Sequence, residues 1–127
     1  MVLLQVTAPF TEPEDIDSAL ATFDRVGAPQ LMSVTEAEQH PHWMATVDGG
    51  RLEFLFDAET RATRRQQLPP VYRLNGALYI YDSEAVLDGS IVASEASAYV
   101  MPSERSVDID TEADWQRAEE ILRQVST

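Results

Sequence analysis

The sequence contains no cysteine and no lysine, and only five glycines in 127 residues. Without cysteine there are no disulfide staples, no thiolate zinc sites and no thiol nucleophile. Without lysine, all nine basic side chains are arginines, and they stand against 22 acidic ones for a formal charge of −13. A chain so acidic does not bind nucleic acid through a general basic surface, although a local arginine cluster can still hold an anion. No apolar run approaches the ~20 residues needed to span a bilayer, and no signal peptide is expected ahead of the opening strand. The expectation is a cytoplasmic protein without membrane or nucleic-acid partners. Two readings of the lysine-free, acid-rich surface stay open: adaptation to high salt, which screens carboxylate repulsion, or a GC-rich genome that favours arginine codons. Hydrophobic residues make up 44% of the chain, enough for a core, and the length fits one domain over 1–127.

The segments that are present alternate between strand and helix signals. Val2-Leu3-Leu4-Gln5-Val6 reads as a buried strand. Thr11 and Glu14 match a capping box, followed by Ile16, Ala19, Leu20 and Phe23 at helical spacing, with Gly27 as the stop. Gln30 to Thr35 reads as a second strand. Trp43 to Val47 and Arg51 to Phe56 alternate around Asp48-Gly49-Gly50, which predicts a hairpin. From Asp57 to Pro70 the chain is polar and carries Arg61, Arg64 and Arg65, the pattern of a loop or of an arm that orders against a partner. Ala77 to Tyr81 and Ala98 to Met101 read as strands, with a short helix at Ser83 to Leu87 between them. Thr111 and Asp114 open an amphipathic helix marked by Trp115, Ala118, Ile121, Leu122 and Val125. Strands alternating with helices predict an α/β fold with a partly parallel sheet.

Ser106-Val107-Asp108-Ile109-Asp110-Thr111 is the sharpest local signal. If Val107 to Ile109 is extended, Asp108 and Asp110 point to one side, roughly 6–7 Å apart. Two carboxylates so placed repel by about 2–3 kcal/mol at an effective dielectric near 20. A magnesium ion beside them turns that cost into binding; alternatively Asp110 caps the helix and Asp108 is solvated. Arg61, Arg64, Arg65, Arg73 and Arg105 either neutralise neighbouring carboxylates or clamp a substrate carboxylate or phosphate. His40-Pro41-His42 reads as a loop kink beside Trp43 rather than a metal pair. Asn75-Gly76 is a tight turn, with or without backbone approach to a ligand. Gln5 ends its strand at the carboxyl edge, where α/β sheets bind ligands.

Three stretches together resemble one family. Leu3-Leu4-Gln5-Val6-Thr7-Ala8-Pro9-Phe10 is similar to the "LLQPTSPL" segment of bacterial acylneuraminate cytidylyltransferases, the CMP-sialic acid synthetases. Arg65-Gln66-Gln67-Leu68-Pro69-Pro70-Val71-Tyr72-Arg73-Leu74-Asn75-Gly76-Ala77-Leu78-Tyr79-Ile80 resembles their "RQxLPxxYRxNGAIYI" stretch. Glu104-Arg105-Ser106-Val107-Asp108-Ile109-Asp110-Thr111-Glu112-Ala113-Asp114 resembles their "ERSVDIDTExD" segment. The resemblance implies a nucleotide-diphospho-sugar transferase-like (Rossmann-like) mixed sheet with helices, N-terminally truncated, with a dimerisation arm at about 43–70. It implies a reaction in which the anomeric hydroxyl of a nine-carbon 2-keto sugar acid attacks the α-phosphate of CTP and pyrophosphate leaves, with Mg2+ neutralising phosphate charge. Carried over by motif, Asp108 and Asp110 hold the metal and are the catalytic pair. Gln5 contacts the sugar, Arg65 reaches from the arm toward the sugar carboxylate in the partner's site of a homodimer, and Asn75 and Tyr79 shape that pocket.

The departures carry their own expectations. Val6, Ala8 and Phe10 replace Pro, Ser and Leu of the first motif, which removes a hydroxyl near the nucleotide. The family's opening strand and Gly- and Lys-bearing loop, similar to "ARxGSKxxxxKN", has no counterpart in this lysine-free sequence. Phosphoryl chemistry without cationic cover over the β- and γ-phosphates is very slow, so the isolated chain is expected to have little or no CTP-dependent activity. Lacking neighbouring strands, Val2 to Val6 is then expected to be an exposed hydrophobic edge. Three functions fit as expectations: the C-terminal portion of a cytidylyltransferase, a non-catalytic dimerising interaction module, or one half of a split synthetase.

Overall fold

The computed structural model describes residues 1–57, 67–91 and 94–125. These form two compact units, one of residues 1–35 and 73–127 and a second of residues 36–72. The described part of the stretch expected as an arm, about 43–70, falls in the second.

The larger unit holds most of a four-stranded sheet in the order β1-β5-β2-β6. β1 (Val2–Leu4) pairs antiparallel with β5 (Tyr72–Tyr81), placing Leu3 opposite Tyr79, while β2 (Gln30–Glu36) runs parallel to β6 (Ala96–Val100). The sheet is therefore mixed and the fold α/β, as the alternation of segments implies. Helix α1 (Pro13–Val26) connects β1 to β2. Helix α2 (Ser83–Asp88) is capped by Asp82, whose Oδ1 accepts from the N–H groups of Glu84 and Ala85. Helix α3 (Glu112–Val125) closes the described chain. Ala19, Leu31, Leu78 and Ile80 form one buried cluster, and Ala8, Ala77 and Met101 another, with Tyr99 packed against both. Leu78 and Ala77 are neighbours in β5 and belong to different clusters, so the centre of this strand is covered on both faces.

Several elements differ from expectation, each for a local reason. β1 is exposed rather than buried, and Val6 beyond it is 93% exposed. Among the described residues β1 pairs with β5 alone, which makes it an exposed apolar edge of the sheet. The first helix opens one residue later than its Thr11/Glu14 pattern suggests. Pro13 occupies the first turn, Glu12 is the N-cap and Asp15 completes the capping box, while the Thr11 hydroxyl turns back to the Ala8 carbonyl at 3.2 Å. Asn75-Gly76 is not a turn between elements but lies inside β5, which starts at Tyr72 instead of Ala77. In α3 the capping pair is as expected, with Asp114 Oδ2 accepting from the Thr111 N–H at 2.9 Å and its hydroxyl at 2.7 Å. Of its apolar residues, Ala118 is buried and Ile121 half-buried, whereas Trp115 and Leu122 are exposed.

The smaller unit contains the predicted hairpin, β3 (Ala45–Asp48) and β4 (Arg51–Phe54), in register Asp48 with Arg51 around Gly49 and Gly50, both at positive φ. His40-Pro41-His42 is a kink, as read: Pro41–Trp43 form a single 3-10 turn, with the His42 N–H on His40 Nδ1. The hairpin and its flanks expose Trp43, Met44, Val47, Leu52, Phe54, Leu55 and Phe56. Arg61, Arg64 and Arg65 lie outside the described residues.

Candidate metal and sugar-acid site

The larger unit brings the three motif stretches together through backbone hydrogen bonds. After β1, the Gln5 N–H donates to the Ala77 carbonyl at 3.0 Å, and the Ala8 N–H returns to the Gln5 carbonyl at 3.2 Å. The Ile109 N–H then donates to the Thr7 carbonyl at 2.9 Å. Gln5, the Asn75–Ala77 stretch of β5 and the Asp108–Asp110 segment are thus stitched side by side, although more than 30 residues separate each from the next in sequence.

The Asp108–Asp110 segment belongs to no strand of the sheet; Asp108 is half-buried and Asp110 exposed. Asp108 packs against Gly76. A Cβ built on Gly76 would sit 2.9 Å from Asp108 Oδ2, and the φ of +73° at Gly76 is one that side-chain-bearing residues rarely adopt. Only glycine gives both the backbone turn and the space for this carboxylate. Asp108 Oδ1 is shielded from solvent and has no hydrogen-bond partner among the described residues. A buried carboxylate oxygen without a donor is costly, and a hard cation is the kind of group that offsets the cost.

Asn75 is 2% exposed, and its amide is engaged entirely inside the protein. Oδ1 accepts from the Ser33 hydroxyl at 2.6 Å and the Ala77 N–H at 3.3 Å; Nδ2 donates to Ser106 Oγ at 2.9 Å and Met101 Sδ at 3.2 Å. The Gln5 side chain is exposed at the end of β1. Tyr79 is half-buried and lies parallel to Tyr81, ring centroids 6.4 Å apart. Arg65 lies outside the described residues.

Arg105, in the same motif as Asp108, neutralises a carboxylate of its own chain. Its Nε and Nη2 bind Asp15 Oδ2 at 3.0 Å and Oδ1 at 2.7 Å, in the bidentate form that suits a guanidinium. Asp15 is fully buried and also accepts from Tyr99 Oη and the Glu12 N–H, both at 2.9 Å. Burial pushes the Asp15 carboxyl up, and the bonds from Arg105, the Glu12 N–H and Tyr99 more than offset that, leaving it below the usual carboxylate range. Burial and the bond to Asp15 push the Tyr99 phenol up. This cluster ties α1, β6 and the turn before Asp108 together. Sequence reasoning missed Asp15, Tyr99 and Ser33; the signal available was the acid in the first helical turn and the polar residues within otherwise apolar strands.

Among the described residues no group of three or more His, Asp or Glu side chains is placed to hold a metal ion. Nor, among them, is any helix long and apolar enough to cross a membrane. No family model matches the chain. Curated relatives do. The N-acylneuraminate cytidylyltransferase of Streptococcus agalactiae serotype V is 33% identical over 115 residues, 90% of this chain and 28% of that protein. The CMP-N,N'-diacetyllegionaminic acid synthase of Legionella pneumophila is 30% identical over 128 aligned positions, 96% of this chain and 53% of that protein. N-acylneuraminate cytidylyltransferase B of Danio rerio is 32% identical over 94% of this chain and 29% of its own length. The resemblance carried by the three motif stretches thus extends over nearly the whole chain, which is similar to N-acylneuraminate cytidylyltransferases while spanning 28% to 53% of the length of these relatives.

Proposed function

We propose that this chain is the part of a cytidylyltransferase that holds the metal and the sugar acid, in an enzyme that joins CMP from CTP to an N-acylneuraminate-like 2-keto sugar acid and releases pyrophosphate. The observation that carries the reading is the buried, unpartnered Oδ1 of Asp108 beside Gly76, in a chain whose relatives bear that activity in their names. Asp108 and Asp110 would hold Mg2+, an ion that takes one or two carboxylates and completes its shell with water and phosphate oxygens. When bound, it supplies neutralisation of charge on the reacting phosphates.

The chain's own residues then have separable tasks. Asp108 presents a carboxylate already stripped of water on one oxygen, so little reorganisation accompanies binding. Exposed Gln5, tied through its backbone to Ala77, offers an amide to sugar hydroxyls. Tyr79, opposite Leu3 in the β1–β5 register, gives the pocket an aromatic wall. Arg65 supplies a guanidinium for the sugar carboxylate, as the motif implies. The hairpin's exposed aromatic and aliphatic residues support a homodimer through the arm at about 43–70. A cytoplasmic setting suits a chain without cysteine.

The five glycines all have other positions: Gly27 and Gly89 close helices, Gly49 and Gly50 turn the hairpin, and Gly76 accommodates Asp108. No glycine-rich phosphate cradle and no lysine remain for a triphosphate, so turnover by this chain alone is expected to be negligible. The test is a fusion that adds a strand and a Gly- and Lys-bearing loop ahead of Met1, assayed for pyrophosphate release from CTP with N-acetylneuraminate and with N,N'-diacetyllegionaminate. The reading expects release that Asp108→Ala abolishes. Equal release from the unfused chain, or release that survives Asp108→Ala, overturns it.

A further inference from the structure

We propose that Asn75 is the positioning residue for Asp108, acting through Ser33 and Ser106 in a hydrogen-bond lock whose every proton is assigned; the inference rests on the reading of Asp108 as a metal-holding carboxylate. The Ser33 hydroxyl donates to Asn75 Oδ1 and accepts from the Leu78 N–H at 2.8 Å. The Ser106 hydroxyl donates to the Pro102 carbonyl at 2.8 Å and accepts from Asn75 Nδ2. The direction of each bond is forced. The Ala77 N–H can only donate, so the Asn75 atom facing it is the oxygen, which leaves the amide nitrogen for Ser106. A rotated amide would set two donors against each other at Ala77.

The lock fixes both sides of the position that Asp108 occupies. By gripping the Ala77 N–H two residues on, the Asn75 side chain bridges Gly76 and holds its positive φ, the local motif that asparagine favours. By gripping Ser106, the same amide anchors the chain two residues before Asp108. Gly76 is the surface that Asp108 packs against, and Ser106 is the anchor from which it extends. One buried side chain thus sets the floor and the tether of the carboxylate together. Asn75, Ser33 and Ser106 are each at least 97% buried, so the lock is shut off from solvent and its effect on the metal runs through Asp108. Residues that orient a metal ligand in this way are worth about 10- to 100-fold in metal affinity.

The experiment measures Mn2+ binding to the full chain by water-proton relaxation, with NMR of the metal-free chain alongside. The variants are Ser106→Ala, Ser33→Ala, Ser106→Thr, Asp108→Asn and, as a core change away from the lock, Ile80→Val. Ser106→Ala and Ser33→Ala are expected to weaken Mn2+ binding about 10- to 100-fold, Ser106→Thr to regain most of it by restoring the hydroxyl, and Ile80→Val to leave it unchanged. In the metal-free chain, Ser106→Ala is expected to move the Gly76 amide and Asp108 carboxyl resonances, and Ile80→Val to leave them in place. If Asp108→Asn abolishes binding while the serine variants bind as the wild type does, the positioning inference fails and the metal reading stands. If Asp108→Asn binds Mn2+ like the wild type, the metal reading fails and takes the inference with it. If Ile80→Val weakens binding as much as Ser106→Ala, the lock is merely structural and the inference is overturned.

Discussion

Arg105→Ala tests how the segment leading to Asp108 is held. The guanidinium supplies two of the four hydrogen bonds on the fully buried Asp15 carboxylate, and its removal leaves the Glu12 N–H and the Tyr99 hydroxyl. Breaking a buried ion pair from one side costs about 3–5 kcal/mol. The Arg105 side chain is 29% exposed and two donors survive, which places the cost near 3 kcal/mol. At ~2.1 cal/mol/K per residue, the 127 residues have an unfolding entropy of roughly 0.27 kcal/mol/K, so the melting temperature at pH 7 falls by about 10 °C. The pH dependence gives a second, independent sign. Asp15 has a folded-state pKa depressed below 3.8, so its stabilisation is present above that pH and fades as pH falls through the folded value. The gap between wild type and variant therefore narrows as pH falls below the ordinary carboxylate range, because protonation of Asp15 removes the ion pair that only the wild type has. Melting by circular dichroism from pH 3 to pH 8 follows both effects. A gap under about 1 kcal/mol at neutral pH, the size of a surface pair, or one that stays constant into acid, would refute the reasoning.

Two further perturbations address the site and the edge. Gly76→Ala forces a Cβ to 2.9 Å from Asp108 Oδ2 at a φ of +73°, so stability falls by about 1–2 kcal/mol from the backbone alone and Mn2+ affinity falls with it; calorimetry and relaxation titration check the pair, and unchanged metal binding would contradict the packing described. Leu3→Lys places a charge on the exposed apolar edge strand and is expected to suppress concentration-dependent self-association in sedimentation velocity, whereas undiminished association would mean that another surface drives it.

The α/β class was legible because helix and strand periodicities alternate along the chain, and the hairpin because Asp48-Gly49-Gly50 sits between two alternating runs. The strand at Val2–Leu4 was legible as a strand, and its exposure followed from the edge reading rather than from its apolarity. Apolarity marks a surface that needs a partner, and the pairing seen from within one chain leaves this edge open. Asn75-Gly76 misled because the dipeptide that makes a hairpin turn also makes a strand irregularity. Which of the two forms depends on Ser33, Ser106 and Asp108, none adjacent in sequence. The Asp108–Asp110 spacing marks two carboxylates close in sequence, but that the segment belongs to no strand of the sheet and is tied to Thr7 by the Ile109 N–H is a tertiary fact the spacing does not carry. Arg105 as a neutralising partner was among the readings of the arginine set; that its carboxylate would be Asp15, 90 residues away, is a tertiary fact with no local trace.

The account stands on Asp108 as a carboxylate arranged for a divalent ion. Its most direct test is a titration of Mn2+ into the full chain and its Asp108→Asn variant, followed by water-proton relaxation. Saturable binding that competes with Mg2+ and disappears in Asp108→Asn is the predicted result. Equal binding by both chains, or none by the wild type, would contradict the account.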